Sequence, residues 1–188
     1  MRRLIVGITG ASGTIYGIRA LQVLSAIEGT EVHLVMTAGA LRTMELETDH
    51  RADDVRKLAH AVHDPANLAA SISSGSFHTD GMLVAPCSVK SGAAIAYSLD
   101  DNLLVRAADV TLKERRRLVL MVRESPLHLG HLRTLTRLSE IGAVIVPPVP
   151  GFYNRPKTVD DVVDHSVGKA LDALGVAHES YSRWTGRT

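Results

Sequence analysis

The chain has 188 residues, of which 45% are apolar, so it is long enough for one domain with a full hydrophobic core. Its 21 basic and 20 acidic residues leave a formal net charge of +1, and no bulk field favours nucleic acid or a membrane surface. Aromatic residues make up only 4% of the chain, too few for the stacking platforms of single-stranded nucleic-acid binders. We therefore expect one domain over residues 1–188 that binds neither nucleic acid nor membranes.

Strand-like and helix-like segments alternate along the chain. Short apolar runs predict five strands, at residues 4–8, 31–36, 80–85, 118–122 and 143–146, the third of them stopped by Pro86. Helical spacing predicts helices at residues 16–27, 40–46, 53–62, 88–97, 102–115, 129–140 and 158–174. Asp100 and Asp101 are candidate N-caps of the fifth helix. Because helices separate the strands, we expect right-handed crossovers and an α/β fold with a parallel sheet.

The cellular compartment can be inferred from cysteine usage and from the apolar runs. Cys87 is the only cysteine, so no internal disulfide can form, which fits a reducing compartment. The first apolar run is too short for a signal peptide, and no run reaches the length needed to span a bilayer. We expect a cytoplasmic protein.

The first strand runs into a glycine-rich turn, G-I-T-G-A-S-G at residues 7–13, just before a helix. Glycines let a backbone approach a ligand closely, and a helix N-terminus attracts phosphate. The spacing is neither the dinucleotide G-x-G-x-x-G nor a Walker motif, and similar turns occur in α/β folds without any ligand. The motif thus favours a phosphate-bearing cofactor only modestly.

The third strand ends in A-P-C-S-V-K-S at residues 85–91, again ahead of a helix. Ser88, Lys90 and Ser91 offer two hydroxyls and a cation for binding an anion. Cys87 has no evident histidine partner and is better explained as a small buried hydrophobe than as a nucleophile.

The fourth strand delivers Arg123 and Glu124 side by side at its carboxyl end, where ligands bind in open α/β sheets. The alternative explanation is an exposed ion pair that contributes little to the stability of the fold. Together with Lys113, Lys169 and Tyr153, which stands on a proline-rich loop, Arg123 could form an anion cage with Glu124 as a proton donor inside it. A second loop, S-I-S-S-G-S-F at residues 71–77, is either a flexible connection or a hydroxyl-rich lid or interface loop near the ligand.

Histidines could in principle hold a metal at two places. His60 and His63, and likewise His128 and His131, have a spacing of three residues. No third ligand of matching type is placed near either pair, so we predict no metal site.

Six motifs in register carry a family resemblance that spans nearly the whole chain. They are G-I-T-G-A-S-G, S-S-G-S-F, P-C-S-V-K-S, R-A-A-D-V-T-L-K-E-R-R, R-E-S-P-L-H-L-G-H-L-R and P-P-V-P-G-F-Y-N-R-P. In this order they closely resemble the flavin prenyltransferases of the UbiX type. The resemblance implies a Rossmann-like three-layer fold and a dodecamer with flavin sites at subunit contacts. It also implies transfer of a dimethylallyl group from dimethylallyl monophosphate to N5 and C6 of reduced FMN. Prenylated FMN, the product, would serve a UbiD-type decarboxylase.

The resemblance also assigns roles to individual residues. The residues expected to bind FMN are Gly10, Ala11, Ser12, Thr37, Ser88, Val89, Lys90, Ser91, Arg106 and Arg123, of which Arg106 would act across a subunit contact. Those expected to bind the prenyl phosphate or to cover the pocket are Lys113, Arg123, Tyr153, Lys169 and Trp184. Those expected to take part in catalysis are Glu124 as the acid that protonates the departing phosphate, Ser12 near the reacting N5, and Glu47 beside the flavin.

The chain departs from the family pattern at two places. The family usually has Ser-Lys where this chain has Thr37 and Ala38, but Thr37 keeps the hydroxyl, so FMN binding should survive. The family usually has arginine at Lys169, where lysine keeps the charge and loses the bidentate geometry.

Two other functions remain open. One is oxidative decarboxylation of a peptidyl cysteine, whose family has a P-A-S-A-N-T type segment in place of P-C-S-V-K-S, and the other is storage of FMN without catalysis.

Overall fold

The structure of the protein is a computed structural model, which describes residues 1–186. Its centre is a six-stranded sheet in the order β3-β2-β1-β4-β5-β6, and every neighbouring pair of strands is parallel. The strands are β1 (Arg2–Ile8), β2 (Thr30–Met36), β3 (Ala61–His63), β4 (Gly81–Cys87), β5 (Arg117–Val122) and β6 (Val144–Ile145). The predicted α/β class with a parallel sheet is thus confirmed.

Helices cover both faces of this sheet and complete a three-layer arrangement. They are α1 (Thr14–Ser25), α2 (Ala38–Glu47), α3 (Ala52–Arg56), α4 (Val89–Ala96), α5 (Leu103–Lys113), α6 (Leu129–Glu140) and α7 (Val159–Leu174). Helices α1 and α7 pack on one face, while α4, α5 and α6 pack on the other. No helix within residues 1–186 is both long enough and apolar enough to cross a bilayer.

The alternation of side chains along β1 explains why the core is divided into two halves. Leu4, Val6 and Ile8 point into the cluster under α1 and α7, whereas Ile5 points into the cluster under α4 and α5. All four are at most 2% exposed. A strand that is buried on both faces reads as a continuous apolar run, which is why the sequence predicted it readily.

Three local predictions are wrong. The segment 53–62 is not one helix, because α3 ends at Arg56 and the edge strand β3 follows at Ala61. A three-residue edge strand carries too little periodic signal to be recognised in a sequence. Strand β4 does not stop before Pro86 but continues to Cys87, with a shift in register against β5. The N-cap of α5 is Asn102 rather than Asp100 or Asp101, and its side chain accepts a hydrogen bond from the N–H of Val105 at 3.1 Å.

Candidate functional site

A cleft of about 720 Å³ opens at the carboxyl ends of the strands, beside the point where the strand order reverses between β1 and β4. Open α/β sheets bind ligands at this position. The residues that line the cleft are Gly10, Ala11, Ser12, Thr37, Ala38, Gly39, Pro65, Ala66, Ser88, Val89, Lys90, Ser91, Ala94, Asp101, Asn102, Val105, Arg123 and Glu124. Nearly all FMN-contact residues predicted from the sequence are therefore brought together in one place.

Four helix N-termini border this cleft, and three of them are capped by side chains from its lining. Thr37 caps α2, Ser88 caps α4 and Asn102 caps α5, each by accepting a hydrogen bond from a backbone N–H of the first turn. Gly13 stands at the start of α1 without a side-chain cap. The uncapped N–H groups and the positive ends of the helix dipoles favour an anion here.

The turn between β1 and α1 needs its glycines for two different reasons. Gly13 has a φ of 96°, a conformation that favours glycine, and its N–H donates to the Glu47 carboxylate at 2.7 Å. A Cβ on Gly10 would lie 3.0 Å from the backbone of Gly39 at the start of α2. The two loops therefore touch backbone to backbone beside Ser12. Glu47 does not line the cleft itself but holds this turn from α2.

The loop between β4 and α4 supplies the hydroxyls of the cleft. The Ser88 hydroxyl accepts from the N–H of Ser91 at 3.1 Å and donates to the Ser91 hydroxyl, also at 3.1 Å. Cys87, just before it, is fully buried, and burial raises the pKa of its thiol to about 12. A thiol that stays protonated at neutral pH is a poor nucleophile, which agrees with its interpretation as a core residue.

Arg123 and Glu124 stand at the rim of the cleft, as the sequence predicts. Arg123 is close enough to Tyr16 of α1 to oppose the rise that burial causes in the pKa of that phenol. The Glu124 carboxylate accepts a hydrogen bond from the N–H of Ser125 at 3.0 Å. The rim thus carries a cation and a carboxyl group next to a wall of hydroxyls and N–H groups.

Lys113 is one of the predicted site residues that lie away from the cleft of their own chain. Helix α5 starts at the cleft with Asn102 and Val105 and ends at Lys113, roughly 12 Å farther along its axis. Lys113 pairs with Glu114 beside Gly75, at the amino-end edge of the sheet. The anion cage expected from the sequence is therefore not assembled within one chain.

Arg106 also lies away from the cleft of its own chain. Its guanidinium donates to the Ser73 carbonyl at 3.1 Å and pairs with Asp100 at 3.0 Å and with Asp109 at 3.3 Å. These partners hold it on the outer side of α5, with a third of its side chain exposed.

The serine-rich loop 71–77 is not a lid over the cleft. A 3-10 turn at Ser71–Ser73 packs on α5, and the carbonyls of Gly75 and Phe77 accept hydrogen bonds from Arg116 at 2.8 and 3.1 Å. Its place is therefore beside Lys113, at the sheet edge away from the cleft.

Tyr153, predicted to bind substrate, belongs to an aromatic group between the 147–156 loop and the carboxyl-terminal segment. Its hydroxyl is 2.9 Å from Nε2 of His165, and its ring meets the Trp184 ring edge-on at a centroid distance of 5.9 Å. Burial and then the charge of Lys169 lower the pKa of His165, so that imidazole stays neutral. Tyr153, Lys169 and Trp184 thus lie near one another on and around α7.

Sequence reasoning missed part of the cleft wall. Pro65, Ala66 and Asn102 line it. The Asp64-Pro65 pair signalled the end of a helix but gave no indication of where the following loop lies. Asn102 carried a recognisable signal, because asparagine is as strong an N-cap as aspartate.

The histidine pairs do not form a metal centre. His63 stacks on the buried His33, and His128 stacks on His131. Over residues 1–186, no group of three or more histidine, cysteine, aspartate or glutamate side chains is arranged to hold a metal ion.

The Flavoprotein family matches residues 1–171 of the chain. The flavin prenyltransferase UbiX of Escherichia coli K12 is 56% identical over 188 residues, which cover 99% of this chain and 100% of that protein. The chain belongs to the flavoprotein family, among its UbiX-type flavin prenyltransferases. The flavin prenyltransferase UbiX of Thauera aromatica is 55% identical, over 98% of this chain and 94% of its own length.

Solved structures agree with this assignment. A dodecameric FMN-dependent UbiX-like decarboxylase from Escherichia coli O157:H7 has a TM-score of 0.96 at 52% identity, over 98% of this chain and 100% of its own. AnUbiX (PadA1), in complex with FMN and dimethylallyl pyrophosphate, has a TM-score of 0.96 at 46% identity, over 100% of this chain and 99% of its own. The cysteine decarboxylase TvaF, at 15% identity and a TM-score of 0.65, shares the fold alone. The predicted Rossmann-like flavoprotein architecture is confirmed.

Proposed function

We propose that this protein is a flavin prenyltransferase that joins a dimethylallyl group from dimethylallyl monophosphate to N5 and C6 of reduced FMN. Inorganic phosphate leaves, and the product is prenylated FMN. The observation that carries the proposal is the cleft at the β1/β4 switch point, where four helix N-termini meet an Arg–Glu pair. Family membership at 56% identity supports the same chemistry.

The residues of the cleft suit FMN. A volume of about 720 Å³ accommodates a cofactor, and Gly10 and Gly39, whose backbones approach each other closely, add no side chain to the lining. The helix N-termini and the hydroxyls of Ser88 and Ser91 supply hydrogen-bond donors for the phosphate. FMN, when bound and reduced, would supply the nucleophilic atoms N5 and C6.

Glu124 is the group that we assign to proton transfer. It stands at the rim beside Arg123, where the phosphate of a prenyl donor would meet the guanidinium. As the C–O bond of the donor breaks, protonation of the departing phosphate oxygen by Glu124 would avoid a build-up of negative charge. Glu47 would act indirectly, because its carboxylate holds the Gly13 N–H and with it the turn that presents Ser12.

Lys113 and Arg106 would complete the site from a neighbouring subunit. Both lie outside the cleft of their own chain, whereas a relative with a TM-score of 0.96 is dodecameric. In a dodecamer of this protein, Lys113 at the amino-end edge of the sheet in one copy could face Arg123 at the cleft of another copy. The neighbouring subunit would also hold and cover the prenyl phosphate, with Tyr153, Lys169 and Trp184 on and around its α7.

The product would be consumed outside this protein. We propose a UbiD-type decarboxylase as the recipient of prenylated FMN, and the cytoplasm as the place of transfer. Cysteine decarboxylation is the weaker candidate, because the cysteine decarboxylase TvaF is only 15% identical to this chain, and Glu124 and Lys169 have no evident use in that reaction. Storage of FMN alone would need no acid at position 124.

An anaerobic assay tests the proposal. The protein is mixed with reduced FMN and dimethylallyl monophosphate, and the flavin spectrum and released phosphate are followed. A new flavin species that appears together with one equivalent of phosphate is expected. A parallel reaction with dimethylallyl pyrophosphate tests donor choice, because a relative is known in complex with that compound. An unchanged flavin spectrum with both donors would contradict the proposal.

A further inference from the structure

Most side-chain contacts that fasten the carboxyl-terminal segment to α7 converge on one carboxylate, that of Asp172. Its Oδ2 accepts hydrogen bonds from the Tyr181 hydroxyl at 2.6 Å and from Arg183 at 2.9 Å, while its Oδ1 accepts from Arg183 at 2.7 Å. The Arg183 guanidinium and the Tyr181 hydroxyl hold the pKa of Asp172 far below its usual range. The carboxylate is therefore ionised at any pH at which the protein works.

His178 adds a second contact to the same carboxylate. Its side chain is only 1% exposed, and its Nδ1 accepts from the N–H of Ser180 at 3.1 Å. The proton then belongs on Nε2, which lies 3.0 Å from the Gly168 carbonyl and 3.1 Å from Oδ1 of Asp172. We call Asp172, His178, Tyr181 and Arg183 the tail anchor.

The tail anchor is connected to Tyr153 by two routes. The Tyr181 ring packs edge-on against His165 at 5.1 Å, and His165 in turn lies within hydrogen-bonding distance of the Tyr153 hydroxyl. Trp184, one residue after Arg183, packs against the Tyr153 ring itself. Gly168 leaves room for this arrangement, since a Cβ there would lie 2.2 Å from the Tyr181 ring.

We infer that Asp172 is a positioning residue of the prenyl-phosphate site, because it sets the place of Trp184 and of the Tyr153 hydroxyl without touching a ligand. The inference rests on the proposed function for the meaning of that site. It concerns only the carboxyl-terminal segment and leaves the FMN cleft unaffected, because no member of the tail anchor lines that cleft.

Trp184 is the only tryptophan of the chain, so its fluorescence reports on the segment alone. Asp172→Asn keeps the shape of the side chain and removes the charge that binds Arg183. We expect the acrylamide quenching constant of Trp184 in the assembled protein to rise by up to about twofold, because the indole, already 56% exposed in one chain, loses its packing on the Tyr153 ring. The KM for dimethylallyl monophosphate should rise on the order of tenfold, while the Kd for FMN stays unchanged.

Asp160→Asn is the matched control. Asp160 lies on the same helix, but it is 72% exposed and pairs with Arg19 at 3.0 Å instead of with the tail. The Trp184 quenching constant and the KM for dimethylallyl monophosphate of the Asp160→Asn protein should equal those of the parent. If Asp172→Asn fails to fold, Arg183→Gln and Tyr181→Phe break the same contacts from the other side.

The double variant Asp172→Asn/Arg183→Gln should be quenched no more than Asp172→Asn alone, because the first substitution already removes the contact that Arg183 makes. Unchanged quenching in Asp172→Asn and Arg183→Gln would overturn the inference, and so would raised quenching with an unchanged KM. If the parent itself fails to prenylate FMN, the proposed function fails, whereas the quenching data still decide whether Asp172 anchors the tail.

Discussion

The Thr9 hydroxyl accepts a hydrogen bond from the N–H of Ser88 at 2.8 Å and thereby joins the ends of β1 and β4. The same hydroxyl donates to the Pro86 carbonyl at 2.8 Å, and Thr9 is only 1% exposed. These two strands flank the switch point of the sheet, so one buried side chain fixes the spacing of the loops on both sides of the cleft.

Thr9→Val should damage both stability and FMN binding, whereas Thr9→Ser should be close to the parent. Valine has almost the shape of threonine but leaves the N–H of Ser88 without a partner, while the Pro86 carbonyl keeps only its bond from the backbone N–H of residue 9 at 3.2 Å. A buried group left unsatisfied costs about 1–3 kcal/mol. Denaturant unfolding and FMN titration measure the two effects. Equal stability of the valine and serine variants would show that the hydroxyl is dispensable.

Glu124→Gln should keep FMN and lose most of its turnover. Glutamine preserves size and much of the hydrogen bonding but cannot give a proton to the leaving phosphate. Loss of a general acid typically costs about 100- to 10,000-fold. Single-turnover spectra measure the rate, with Lys169→Ala for comparison, which should chiefly raise the KM for the prenyl phosphate. Formation of prenylated FMN by Glu124→Gln at the parent rate would assign the proton to the substrate or to water.

Subunits carrying Lys113→Ala and subunits carrying Glu124→Gln should rescue each other when they are assembled together. Lys113 lies at the sheet edge opposite Glu124, so a mixed oligomer would contain some sites with both residues intact. Activity should exceed that of either pure variant after co-expression, and purification with two different tags isolates the mixed species. Mixed assemblies that are no more active than the separate variants would show that one and the same chain supplies both residues of a site.

Ser88→Ala and Thr158→Ala should be destabilising to a similar degree, but only the first should weaken FMN binding. Each hydroxyl caps a helix by accepting a hydrogen bond from the third residue of that helix at 3.1 Å, and loss of such a cap costs about 1 kcal/mol. Ser88 lines the cleft, whereas Thr158 begins α7 outside it. Thermal unfolding and FMN titration of the two variants separate the structural effect from binding.

Cys87 should make the protein less stable as the pH rises above 9, the ordinary pKa of a cysteine thiol, because burial raises the thiol pKa in the folded state to about 12. Between these values the folded state keeps a proton that the unfolded chain releases. The free energy of unfolding should therefore fall by about 1.4 kcal/mol per pH unit relative to Cys87→Ala. Urea unfolding of both proteins at pH 8, at about pH 9.5 and at about pH 10.5 measures this difference. Parallel pH profiles would show that the thiol titrates normally.

The sequence predicted those parts of the fold that have a strong local signal. The continuous apolar run of β1 and the spacing of α6, whose predicted bounds 129–140 are those observed, follow from burial and periodicity. Strand β3 has three residues and obtains its pairing from β2, so nothing in its own sequence identifies it. Its existence depends on tertiary contacts.

The candidate site likewise contains parts that could be placed from the sequence and parts that could not. The loops after β1 and β4 could be placed from their own residues, because parallel strands bring their carboxyl ends to one edge. Lys113 could not be placed by charge and spacing alone, because a helix of eleven residues carries its last residue to the other edge of the sheet.

This separation of Lys113 from Glu124 has a genetic consequence. In a closed assembly that brings opposite edges together, each chain takes part in two reaction centres. One copy with a defect at either position would disable a centre that an intact neighbour shares. Because such a copy still completes its other centre, only a copy defective at both positions would lower the activity of intact copies made in the same cell, whereas a variant that fails to assemble would be harmless to them.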